Sequence, residues 1–102
     1  MSSLFCLHLV FPATLEDAVS AALIEHEPPL PGFTLLRAEG HSSDFSQASP
    51  DERVRGRIAR RMILMVLSQE TIGAVIAALR ERVRSENVVW WTTHVGEFGR
   101  LG

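Results

Sequence analysis

Residues 40–57 read GHSSDFSQASPDERVRGR, a long polar run in the middle of a 102-residue chain. Connections in compact domains usually span ~4–6 residues, and longer ones without structure of their own tend to be functional or disordered. The run splits the chain in two, and the fold follows from what flanks it.

Upstream, Leu4 to Phe11 (LFCLHLVF) is rich in strand formers and reads as a buried strand that Pro12 stops. Thr14 is the expected N-cap of a first helix, with Glu16 and Asp17 in the first turn, where the helix dipole favours negative charge. Leu15, Val19, Ala22, Leu23 and His26 follow at helical spacing and give it one apolar stripe. Pro28-Pro29-Leu30-Pro31-Gly32 ends the helix, and Phe33 to Glu39 (FTLLRAE) reads as a second strand.

Downstream, a third strand starts near Ile58 and is strongest over Met62 to Leu67 (MILMVL). Ser68 is the expected cap of a second helix, whose stripe is Ile72, Val75, Ile76, Leu79 and Val83. Arg80, Arg82 and Arg84 fall in its last turns, where cations suit the dipole. Asn87 to Val95 (NVVWWTTHV) supplies a fourth strand, and a short glycine-bearing segment follows. The order β-α-β, loop, β-α-β in about a hundred residues predicts a single α+β domain over 1–102. The arrangement is ferredoxin-like: βαββαβ, a four-stranded antiparallel sheet with both helices on one face.

Strand alternation carries a second expectation. Phe5, Leu7, Leu9 and Phe11 leave one face of the first strand, and Leu4, Cys6, His8 and Val10 leave the other. The bulkier set suits the helices. The remaining set is nearly as apolar, and no element is left to cover it. The third strand repeats this, with Met62, Leu64 and Val66 opposite Ile63, Met65 and Leu67, and the adjacent Trp90 and Trp91 must also part. An antiparallel sheet with one wet face should alternate apolar with polar. Two apolar faces predict a homo-oligomer of closed symmetry whose uncovered sheets pack together.

Composition narrows the function classes. A formal net charge of -2 excludes an ordinary nucleic-acid binder, although all ten basic residues are Arg, the side chain suited to carboxylate and phosphate. The apolar N-terminal run is too short to span a membrane and lacks a basic leader, so neither membrane insertion nor a signal peptide is expected. The single Cys6 fits a reducing, cytoplasmic setting.

The residues able to carry chemistry are few. Cys6 and His8 lie two apart in a strand and share a face, so in an oligomer several such pairs would converge as a soft or borderline metal site, with small interface residues as the plainer reading. His26, His41 and His94 are further candidates, with Asp44 and Glu97 as oxygen ligands. His41 and Asp44 open the loop, where such a pair closes over an ion or bonds a turn. Arg53, Arg55, Arg57, Arg60 and Arg61 form the densest basic cluster, either a solvated stem paired with Asp51 and Glu52 or an anion site that Arg100 of a neighbouring chain joins. No nucleophile elbow surrounds Ser42, Ser43, Ser46 or Ser49, and no carboxylate pair is spaced for catalysis, so an enzyme is not expected.

The strand order, with its long central loop, resembles the PII-like signalling proteins. Gly40-His41-Ser42 with Asp44-Phe45, Val54-Arg55-Gly56-Arg57 and Glu97-Phe98-Gly99-Arg100 are similar to a small PII-like family encoded beside heavy-metal efflux pumps of the resistance-nodulation-division type. The resemblance implies a homotrimer with sheets facing inward, and makes 41–57 the counterpart of the T-loop, which responds to ligands and inserts into target proteins. It implies ligand or partner binding through Gly40, His41, Ser42, Asp44, Arg53, Arg55, Arg57 and Arg100. It also implies signalling to a transport system through a small ligand whose identity stays open, a divalent or Cu(I) ion being one candidate. The alternatives are a metal-tolerance protein like the CutA trimers, and a PII-like binder of adenine nucleotide. Against the nucleotide, the join Arg84-Ser85-Glu86-Asn87 has no glycine and carries an acid, where PII proteins use a glycine-rich turn to present N–H groups to phosphate.

Overall fold

A computed structural model describes residues 3–41 and 58–102. Its strands are β1 (Leu4–Pro12), β2 (Thr34–Gly40), β3 (Ile58–Ser68) and β4 (Val89–His94), and its helices are α1 (Glu16–Ile24) and α2 (Gln69–Val83). All three strand pairings are antiparallel, and the order across the sheet is β2-β3-β1-β4. This is the ferredoxin-like arrangement expected from the order of elements.

The register assigns the faces. Leu7 stands opposite Met65 on β3 and Thr92 on β4, and Leu9 opposite Ile63 and Trp90. Leu7, Leu9, Phe11, Ile63, Met65 and Leu67 are buried against Val19, Ala22 and Leu23 of α1 and Ile72, Val75, Ile76 and Leu79 of α2. Both helices therefore cover one face. The core rests on the two central strands, β1 and β3. The edges are open: every residue of β4 is exposed, and so are most of β2.

Helix boundaries follow local chemistry. Ser68, extended at φ -72° and ψ 157°, accepts the Thr71 N–H on its hydroxyl oxygen at 3.3 Å, so α2 starts where a capping side chain stands. The first helix differs from expectation. Pro12 remains in β1, Ala13 to Leu15 form a 3-10 turn, and α1 begins at Glu16 with Leu15 as its N-cap and no side-chain cap bond. Thr14 is thus not the cap. Glu16 is instead used sideways: it accepts a hydrogen bond from Arg61 Nε on β3 at 2.5 Å. The helix start carries no side-chain cap, and an ion pair ties it to the sheet.

Candidate functional site

Opposite the helices the sheet carries Leu4, Cys6, His8 and Val10 of β1, Met62, Leu64 and Val66 of β3, Leu36 of β2, and Val89 and Trp91 of β4. Across the strands the rows read Leu36–Met62–Val10–Val89 and Thr34–Leu64–His8–Trp91. Both described helices pack on the other face, and the proline segment 28–31 borders this one at Leu4 and Val66. Leu36, Val89 and Trp91 are 43%, 53% and 41% exposed, and the central-strand members are half-buried. Contiguous apolar surface of this kind marks an interaction site.

The most chemically developed part of this face surrounds His8. Its ring stacks on Trp91, with centroids 5.0 Å apart and planes 7° apart, and its Nε2 is hydrogen-bonded to Thr93 Oγ1 at 3.1 Å. Thr93 is also the register partner of Cys6. Stacking and hydrogen bond hold the imidazole in one plane, with Cys6 on the same face, as the two-residue spacing predicts. This face supplies, among the described residues, only this soft pair. Among the described residues no group of three or more His, Cys, Asp or Glu is placed to hold an ion. A four-ligand site of the zinc type needs donors from other chains.

The other histidines are scattered. The His26 Nδ1–H donates to the Pro28 carbonyl at 3.0 Å, inside the proline turn. His94 sits on the helix side of β4, edge-on to Phe5 at 5.3 Å. His41 is exposed just beyond β2. Glu97 and Arg100 lie in the exposed stretch after β4. Ser42, Asp44, Arg53, Arg55 and Arg57, with the rest of 42–57, lie outside the described residues.

The base of that loop is described. Gly40 and Ile58 are register partners closing the β2–β3 ladder. The Arg60 side chain crosses Gly40 so closely that a methyl group there would overlap its Cδ and Nε. Arg61 points to the opposite face, where Glu16 holds it and its Nη1 also donates to the Arg60 carbonyl at 3.1 Å. Of the five arginines grouped in the sequence, the two described ones part: Arg60 and Arg61 lie on different sides of the sheet, and Arg61 already has a carboxylate. Arg37 faces Arg61 directly across β2–β3, a like-charge pair that Glu16 offsets.

The join after α2 is also informative. The Asn87 N–H donates to Ser85 Oγ at 3.1 Å and the Val88 N–H to the Ser85 carbonyl at 3.3 Å. Two backbone donors that a phosphate-gripping turn would present outward are used internally.

Two features escaped the sequence reading. Thr93 and Trp91 become neighbours of His8 only through the β1–β4 register, which hydrophobic patterning does not specify. A groove between α2 and β4, with Leu79, Val83 and Trp90 in its walls, was signalled only by Trp90 falling on the helix side beyond the end of the helical stripe.

Over residues 1–102 the chain matches the family described as protein of unknown function, DUF3240. The chain belongs to the DUF3240 family. A crystal structure of a DUF3240 family protein from Shewanella baltica shares the fold at TM-score 0.77 and 22% identity, covering 100% of both chains. CPII, a nitrogen regulatory PII-like protein from Thiomonas intermedia bound to ADP, AMP and bicarbonate, superposes at TM-score 0.68 and 16% identity, over 95% of this chain and 93% of its own. Arabidopsis thaliana PII bound to citrate superposes at TM-score 0.72 and 15% identity, over 99% of this chain and 82% of its own. The DUF3240 chain thus has the PII-like fold. No curated protein matches it in sequence. Among the described residues, no helix is long and apolar enough to cross a membrane.

Proposed function

We propose that this DUF3240 protein is a PII-like regulatory protein that works as a homotrimer and not as an enzyme. A small ligand bound between chains sets the state of the 41–57 loop, and the loop reports to a transport system of the heavy-metal efflux type. The observation that carries this reading is the uncovered apolar face centred on His8, Leu64 and Val66, which a ferredoxin-like monomer would leave in water. The likeness to PII proteins supports it, because the same fold surrounds the ADP, AMP and bicarbonate of CPII and the citrate of Arabidopsis PII. A ligand moves the loop only to the extent that it binds one loop state better than the other.

The ligand class follows from the local chemistry. With the Asn87 and Val88 amides bonded to Ser85, a PII-style phosphate grip at this turn would first have to break those bonds. A metal ion is favoured instead by the Cys6–His8 pair and by the fixed His8 ring, since three copies of a soft donor pair make a borderline-metal site. The same observation supports the second reading, a metal-tolerance protein like the CutA trimers that needs no loop partner.

Native mass spectrometry of the purified chain with Zn(II), Cu(I), Ni(II), AMP, ADP or ATP added singly tests the proposal. The expected result is a trimer that retains a metal ion, with retention lost in Cys6→Ser and His8→Ala. A trimer that retains only nucleotide contradicts the metal assignment. Ion retention together with unchanged capture of membrane transport proteins by a loop variant, Arg55→Ala, favours the second reading.

A further inference from the structure

The groove between the end of α2 and β4 has a volume of about 240 Å³. Leu79, Val83, Val88 and Trp90 line its apolar part, and Arg80 and Arg84 lie at its rim. Trp90 is still 42% exposed, so the packing of this wall is incomplete. Arg82, between the two rim arginines in sequence, already pairs with Glu25 at 3.0 Å. Among the described residues no ion-pair partner is found for Arg80 or Arg84.

The stretch after β4, VGEFGRLG at 95–102, has the complementary chemistry. Phe98 is 59% exposed, and beside it stands the carboxylate of Glu97. An aromatic ring buries 150–250 Å² and is among the most effective interface anchors. An apolar slot rimmed by two arginines suits a Glu-Phe pair. Arg100 lies beyond the two residues that the slot requires.

A chain cannot readily fill its own groove. The groove adjoins the start of β4, at Val88 and Trp90, whereas the 95–102 stretch leaves from the other end. There the Val95 N–H is fixed to the Leu4 carbonyl at 3.1 Å. Trp90 and Val95 are five steps apart along the strand direction, about 16 Å at strand rise. From Val95 to Phe98 the chain spans at most about 10 Å even fully extended, and the reversal of direction uses up part of that. A second copy has no such restriction. β4 is also an edge strand, with Trp90 on its groove side, so the groove lies at the rim of the sheet and not beneath a neighbouring strand.

We infer that Glu97-Phe98 of one chain inserts into the α2–β4 groove of a second copy, with Phe98 between Leu79, Val83 and Trp90 and Glu97 paired to Arg80 or Arg84. This goes beyond the proposed regulatory role: it is an exchange between chains on the helix side, separate from contact between sheet faces.

Disulfide trapping between differently tagged, co-expressed chains tests it. In a Cys6→Ser background one chain carries Ser85→Cys in the groove and the other Gly99→Cys beside Phe98. Mild oxidation is expected to give a mixed-tag disulfide at least tenfold above a control pair with Gly73→Cys, on α2 outside the groove, in place of Ser85→Cys. Adding Phe98→Ala should reduce the yield about tenfold. Replacing Arg80 and Arg84 by Glu should do the same, and Glu97→Arg should restore it. Sedimentation of the unoxidised sample accompanies the test. A trimer that traps no more than control overturns the insertion while the assembly stands. Monomers overturn both.

Discussion

The two faces of the sheet are made of similar residues and have opposite fates. On the helix side Leu7, Leu9, Ile63 and Met65 are 0–2% exposed, sealed by two amphipathic helices. On the other side their immediate neighbours Val10, Leu64 and Val66 are apolar too, and with His8 they are only half-buried. Residue type does not distinguish the two surfaces. What does is that both crossovers between parallel-running strands pass on one side. The contrast separates residues that hold the fold from residues available to hold an assembly.

Placing one substitution on each face is the sharpest way to break this contrast. Leu9→Asp sets an unpaired carboxylate in the sealed core, at a cost of several kcal/mol, comparable with the ~5–15 kcal/mol that stabilises a typical domain. Circular dichroism should show an unfolded or molten chain. Leu64→Asp, one register step away on the open face, should leave the far-ultraviolet spectrum intact and convert trimer to monomer on size exclusion. If both variants unfold, or both stay folded and assembled, the two faces do not have separate roles.

Smaller effects sharpen the same comparison. Ser68→Ala removes the hydroxyl oxygen that accepts the Thr71 amide and should lower stability by about 1 kcal/mol in urea denaturation without changing the mass of the particle. Gly40→Ala should cost less, about 0.5 kcal/mol or below, because the obstacle is the flexible Arg60 side chain, which can swing aside. Its expected signature is a displaced Arg60, visible in a crystal structure of the variant.

How far these features were legible in the sequence depends on the range of the interaction. The strands, the α2 stripe, the Val19, Ala22 and Leu23 part of the α1 stripe and the Ser68 cap follow from patterns within a few residues of one another, whereas Leu15 and His26 fall just outside α1; the placing of Cys6 and His8 on one face is local too. The start of α1 was misread because Thr14 looks like a cap locally, while the chain uses Glu16 to reach Arg61, forty-five positions away. The Arg60–Arg61 division escaped for a related reason. A basic run looks like one cluster until strand pairing extends down to Ile58 and sends neighbours to opposite sides. The His8–Trp91–Thr93 arrangement depends on a β1–β4 register that no local pattern encodes.

The central claim is that the uncovered face is an interface between copies of this chain. Sedimentation equilibrium of the unmodified protein at micromolar concentration tests it most directly. A single species of three chain masses, reduced to one by Leu64→Asp, is the predicted result. A monomer that persists as the concentration is raised would contradict the account.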